Sequence, residues 1–238
     1  MNTYLPKLTW ISAFAIAMGF LESAVVIYIR AMYYKDGFQF PLRPMELSLA
    51  RVEIFREAAT LIMLIAACYL AGSTATQRFA FFTLAFAIWD LFYYVFLYVF
   101  LGWPESLFTW DLLFLIPLPW IGPVWSPFLI CLLMILSALV LIHETSKNAE
   151  FKLSKKQLLF LIVGILLCIF SFMWDYLHFT GYENFWSIVS SKALFAEISH
   201  YVPQTFNHSL FFTGFACMSF PLLQHVFLKL KSKQDEKK

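Results

Sequence analysis

Six stretches of this chain are each apolar for about twenty residues, and that feature constrains the fold more than any other. About 20 mainly apolar residues are what a helix needs to cross the hydrocarbon core of a bilayer. The stretches are residues 8–29, 47–71, 79–101, 120–142, 158–178 and 208–228. In lipid every backbone N–H and C=O must be satisfied within the protein, so runs of this length read as spanning helices. Composition agrees. The 238 residues are 61% hydrophobic and 13% charged, against roughly a quarter charged in a soluble domain. The expectation is an all-α polytopic membrane protein. It is a single six-span bundle over residues 1–238, of which 229–238, "KLKSKQDEKK", form a basic tail.

Several classes of protein are excluded early. A net charge of +2 gives no ground for a nucleic-acid partner. Cys68, Cys131, Cys168 and Cys217 each fall in a different apolar run, with no CxxC spacing. They read as small packing residues and not as a disulfide framework or zinc ribbon. Lys7 followed by apolar residues 8–21 has two parts of a secretory leader, but no small-x-small cleavage site follows. An uncleaved first span is expected.

The basic residues orient the bundle. With the N-terminus in the cytoplasm, eleven of the 17 Lys and Arg residues fall on the cytoplasmic side, including Lys7, Arg78, Lys147, Lys152, Lys155 and Lys156. Six fall on the opposite side or its border: Arg30, Lys35, Arg43, Arg51, Arg56 and Lys192. The positive-inside rule therefore places both termini in the cytoplasm, in a bacterial inner membrane with membrane lipids as surroundings. Two outer connections stand out. Residues 102–127 are apolar yet carry Pro104, Pro117, Pro119, Pro123 and Pro127. A regular helix cannot persist through them, so a short helix near 106–116 and then an irregular turn are expected, lying against protein or in the interface. Residues 179–207 suggest an interfacial helix, with Trp186 and Tyr201 at headgroup level.

Acids within these greasy runs carry the functional signal. Trp-Asp occurs three times, at Asp90, Asp111 and Asp175. At 1.5 Å per residue Asp90 lies about 16 Å into span three, near mid-membrane. Glu53 and Glu57 lie about 9 and 15 Å below the outer surface, and Glu22 about 21 Å from the cytoplasmic start. Asp111 belongs to the proline-rich connection. Asp175 and His178 end span five, and His208 opens span six. The charges therefore gather between the bilayer centre and its outer edge. Arg56 stands as the one cation within the membrane, against six acids. Each acid at a helix centre costs about 2.5–3.5 kcal/mol on the insertion scale. Protons, a metal, a cationic substrate or rim water must offset the rest.

These residues admit three functional readings. The first is an enzyme acting on a lipid or another small lipophilic or ionic substrate. Glu22, Glu57 and Asp90 would be its catalytic acids, with Arg56, Tyr93, Tyr94 and Asp111 binding substrate and Arg56 orienting an anionic group. Asp175, His178 and His208 would hold a divalent metal, zinc or iron, since mixed carboxylate and imidazole donors suit both. No HExxH spacing accompanies them. The second reading is a proton- or cation-coupled transporter, since buried carboxylates carry protons. The third is a non-catalytic membrane subunit or assembly factor, whose polar groups join helices.

Three stretches, "GFLESAVVIYIRAMYY", "REAATLIMLIA" and the run from "AIWDLFYYVFL" to "TWDLLFLIPLPW", resemble a family of bacterial polytopic inner-membrane proteins. The resemblance covers residues 19–123, and no activity follows from it.

Overall fold

In the computed structural model, residues 4–34, 37–181 and 198–235 are described. Six helices among them are long and apolar enough to cross a membrane: α1 (Leu5–Tyr33), α2 (Leu47–Ala71), α3 (Ala75–Leu101), α4 (Trp125–Lys147), α5 (Lys155–Thr180) and α6 (His208–Asp235). The chain is an all-α polytopic bundle, as the apolar runs require. Polar residues set the helix ends. The Thr74 hydroxyl accepts from the Gln77 N–H at 3.2 Å and opens α3. Ser154 and Gln157 form a reciprocal capping box at the start of α5, which satisfies two otherwise orphaned donors. Gly102, at φ +65°, closes α3 in the left-handed region that suits glycine. The last helix runs on through Asp235, so the basic segment from residue 229 continues α6.

The bundle has two ends of different character. At one, the Lys7 ammonium donates to the Ala71 carbonyl at 2.7 Å and joins the start of α1 to the end of α2. Lys229 of α6 pairs with Glu144 of α4 at the same end. Next to it lies a core of small and larger apolar side chains, including Ala15, Leu64, Ala80, Phe81, Ala85 and Ala138. α3 packs against α1, α2 and α4. α5 and α6 pair mainly with each other. On their seam a Cβ on Gly164 would fall 2.6 Å from the Met218 backbone nitrogen, and one on Gly214 would fall 2.8 Å from the Gly164 carbonyl. Backbones this close need residues without side chains.

At the other end the proline-rich connection takes a form that corrects the expected short helix at 106–116. Two strands, β1 (Trp110–Phe114) and β2 (Trp120–Pro123), make an antiparallel hairpin. Trp110 pairs with Pro123, Asp111 with Gly122 and Leu112 with Ile121. The register then shifts before Phe114 meets Trp120. The prolines end helical structure as expected, but cross-strand pairing and not a helix then satisfies the backbone. The hairpin folds into the bundle. The Leu115 N–H, beyond the end of β1, reaches Glu57 of α2, about 15 Å along that helix from its start. Irregular backbone at such depth is tolerated only when enclosed by protein, and Leu115, Leu118 and Ile121 are all buried. The expected interfacial helix, with Trp186, falls largely outside the described residues.

Candidate functional site

One cavity of about 300 Å³ lies under and beside the hairpin. Every helix except α6 contributes to its wall: α1 from Glu22 to Arg30, α2 from Glu53 to Leu61, α3 from Phe86 to Tyr94, the start of α4, and Phe172 of α5, together with the hairpin, the α1–α2 connection from Tyr34 to Met45, and Ile198. Five of the six acids singled out above line it: Glu22, Glu53, Glu57, Asp90 and Asp111. Helical spacing explains how α1 and α2 supply their share. Glu22, Val26 and Arg30 are successive i,i+4 neighbours on one face, and Glu53 and Glu57 are another such pair.

Their partners differ. Arg56 bridges two helices, pairing with Glu22 of α1 and with Glu53 one turn back on its own helix. Its Nε donates to the second Glu53 oxygen at 2.9 Å. Arg56 therefore stands as a clamp between carboxylates, and the guanidinium fork expected to hold an anionic group is turned toward protein. Asp111, only 2% exposed, accepts from the Tyr94 hydroxyl at 3.0 Å. It also lies 3.7 Å from the guanidinium of Arg30. Burial pushes the Asp111 carboxyl up to about 6, against the opposing pull of Arg30 and Tyr94. Arg30 is 7% exposed. Its guanidinium lies 3.8 Å from the centre of the Trp103 ring and 4.4 Å from that of Phe38.

Arg30 corrects the expectation of a single intramembrane cation. Near the end of a span, arginine commonly reaches out to the interface. Here the hairpin carries Asp111 down to it, and two aromatic faces cover it. Its spacing of eight from Glu22 was the available signal.

Glu57 and Asp90 stand apart from this pairing. Glu57 is 7% exposed and accepts one hydrogen bond, from the Leu115 N–H at 3.1 Å. Asp90 accepts from the thiol of Cys131 on α4 at 3.2 Å. Neither carboxyl forms an ion pair among the described residues. Tyr93 lines the same cavity and packs edge-on against Tyr94, with centroids 4.9 Å apart. Cys131, Trp89 and Trp120 also line it. Sequence reasoning passed over Cys131, because a lone cysteine in an apolar run carries no signal of the acid it meets.

The three residues expected to hold a metal lie away from the cavity lining. Asp175 accepts from the Tyr201 hydroxyl at 2.6 Å, the Gln204 N–H at 2.9 Å, and the N–H and hydroxyl of Thr205 at 3.2 and 2.9 Å. It therefore ties the segment before α6 to the end of α5, and both its oxygens are engaged. Burial, and then the Asp175 carboxylate, push the Tyr201 hydroxyl well above its ordinary value. His178 is exposed, with Nδ1 3.1 Å from the Trp174 carbonyl. His208 is exposed and stacks on Trp125. Four donors already fill the Asp175 oxygens, so this set fits a metal poorly. Among the described residues no three His, Cys, Asp or Glu side chains converge as metal ligands do.

Comparison with known proteins adds no relative: no family model, curated protein or solved structure matches the chain.

Proposed function

We propose that the protein is a membrane-embedded enzyme that takes a lipid or lipophilic molecule into the hairpin-side chamber and acts on it by acid–base chemistry. Asp90 is the principal proton-transfer group and Glu57 the second. The observation that carries this reading is the chamber itself. An apolar wall with a few convergent polar groups, at about 300 Å³, has the make-up of a small-molecule site. Its two carboxyls without a cation are the members free to exchange protons with a ligand. Glu22, Glu53 and Arg56 brace the wall, and Arg30, Asp111 and Tyr94 hold the hairpin that covers it. Tyr93 and Tyr94 bring aromatic faces to the ligand.

The apolar core at the opposite end favours an enzyme over a carrier. Leu64, Ala80, Leu84, Ala138 and Leu141 carry no charge through that half, whereas a proton-coupled carrier needs groups that relay across the membrane. In a bacterial inner membrane with both termini cytoplasmic, the chamber would lie in the periplasmic half. A metal-assisted form of the reaction draws no support from Asp175, whose oxygens are taken.

The test is to incubate the purified protein with a total polar lipid extract of a bacterial membrane and to follow lipid species by mass spectrometry. One species should be consumed, and Asp90→Asn should slow its loss by about 100-fold or more, the contribution of a placed acid or base. An unchanged lipid profile with the native protein would sink the enzyme reading. Elemental analysis of the same preparation decides the metal form. Zinc or iron at one per chain, lost when Asp175→Asn and His178→Ala are combined, would establish it.

A further inference from the structure

The partners of the charged groups define the kind of molecule the chamber accepts. Three arginines line it: Arg30, Arg43 and Arg56. Arg56 is spent on Glu22 and Glu53, and Arg30 stands 3.7 Å from Asp111. Arg43 is itself engaged. Arg30 keeps a buried Nε with no hydrogen-bond partner, but its guanidinium lies beside Asp111 and against two aromatic rings. Five carboxyls line the same space, and two of them, Glu57 and Asp90, accept from an N–H and a thiol and form no ion pair among the described residues. An ionised carboxylate in an apolar wall without a cation is costly. A positive charge brought in by the ligand removes that cost, and in a medium of low dielectric its attraction to the carboxylates is strong.

The aromatic rings of the wall suit the same sign, while the unpartnered N–H groups of Trp89 and Trp120 leave a place for an acceptor on the same ligand. Phe86, Trp89, Tyr93, Trp120 and Phe172 line the chamber, and aromatic faces attract cations through the ring quadrupole. Arg30 already uses this device between Trp103 and Phe38. A proton on each free carboxyl would neutralise it but would make no use of the rings. An anionic head would meet two acids that form no ion pair among the described residues.

We infer that the chamber selects a lipophilic molecule bearing a positively charged nitrogen, seated between Glu57 and Asp90 among the aromatic side chains. This rests on the chamber being a ligand site, and it adds the charge of the ligand.

Three probes with one tail and different heads test it: dodecyltrimethylammonium, 1-dodecylglycerol and dodecyl phosphate. Each is titrated into the full chain in nanodiscs of phosphatidylcholine, whose zwitterionic surface does not concentrate a charged probe, and binding is read from tryptophan fluorescence and calorimetry. The ammonium probe should bind about tenfold or more tightly than the glycerol probe, and the phosphate probe most weakly. Combining Asp90→Asn with Glu57→Gln should bring the ammonium affinity down to that of the glycerol probe and leave the glycerol affinity in place, which also reports that the chamber is folded. Glu150→Gln, an exposed acid elsewhere, should preserve the preference for the cation. Equal binding of all three probes, or best binding of the phosphate, would overturn the charge assignment while keeping the chamber. Binding of none would overturn both.

Discussion

The two halves of the bundle solve the problem of lying in lipid in opposite ways. The half near both chain ends is filled by uncharged apolar residues, with alanines at the crossings of α1, α3 and α4. Its charged groups stay at the rim, where Lys229 meets Glu144. The half near the hairpin buries charge deliberately. It holds Arg30 with Asp111 and Arg56 with two glutamates, and it admits a β-hairpin whose backbone is paired within itself. The first arrangement gives dispersion contacts and close helix approach. The second gives up some of that packing for an enclosed space with directed polar groups. The structure thus keeps its scaffold and its chamber apart along the membrane normal.

The largest effect should come from the clamp at the chamber. Arg56→Met leaves Glu22 and Glu53 facing each other without a cation. Breaking a fully buried pair by removing one partner costs about 3–5 kcal/mol, which is the upper bound for this part-buried clamp. The thermal midpoint of the protein in detergent should fall sharply. Adding Glu22→Gln and Glu53→Gln to Arg56→Met should recover most of the loss, because no charge is then stranded. A midpoint unmoved by Arg56→Met would mean the chamber half does not depend on paired charge, and the contrast between the halves would disappear.

Much of this division was legible in the residues, and the gaps have physical causes. Apolar runs of about twenty residues located all six helices, because lipid permits little else. The position of acids along those runs placed Glu22, Glu57 and Asp90 in one half, and the cavity gathers them. The hairpin was misread. "LLFLIP" is a short apolar run, which periodicity alone cannot assign to helix or strand. Pairing with Trp120–Pro123 decided it, and that is a tertiary fact. The same hairpin moved Asp111 from an outer loop to the side of Arg30, so neither partner could be foreseen from its own neighbourhood. The surroundings of Asp175 were hidden for a related reason. Its spacing to His178 suggested a ligand pair, while its actual partners, Tyr201, Gln204 and Thr205, lie 26 to 30 residues further on.

An intermediate effect is expected from the scaffold half. Leu64 is fully buried among Ala80, Phe81 and Leu84 in the apolar core. Leu64→Ala should lower stability by about 2 kcal/mol, the low end for such truncations. Much of the transfer term is absent when the alternative surroundings are lipid, and the lost contacts and the void remain. Affinity for the ammonium probe should be unchanged. A Leu64→Ala protein that melts normally but binds poorly would show the two halves to be coupled, and the division into scaffold and chamber would need revision.

The smallest effect should come from the ion pair at the opposite rim. Lys229 pairs with Glu144 as Arg56 pairs with Glu22, and the two contacts look alike on paper. Their surroundings differ. The Lys229 side chain is 46% exposed, against 21% for Arg56. Water and headgroups can therefore take over the Lys229 contacts when it is removed, and exposed pairs contribute about 0–1 kcal/mol. His225 also lies 3.6 Å from Glu144, so the acid keeps a potential partner. Lys229→Ala should shift the melting midpoint by a small fraction of the Arg56→Met shift, and by less still in high salt, which screens exposed charge. Equal shifts from the two substitutions would show that burial is not what separates the two ends, and that the chamber's charges hold no more of the fold than those at the surface.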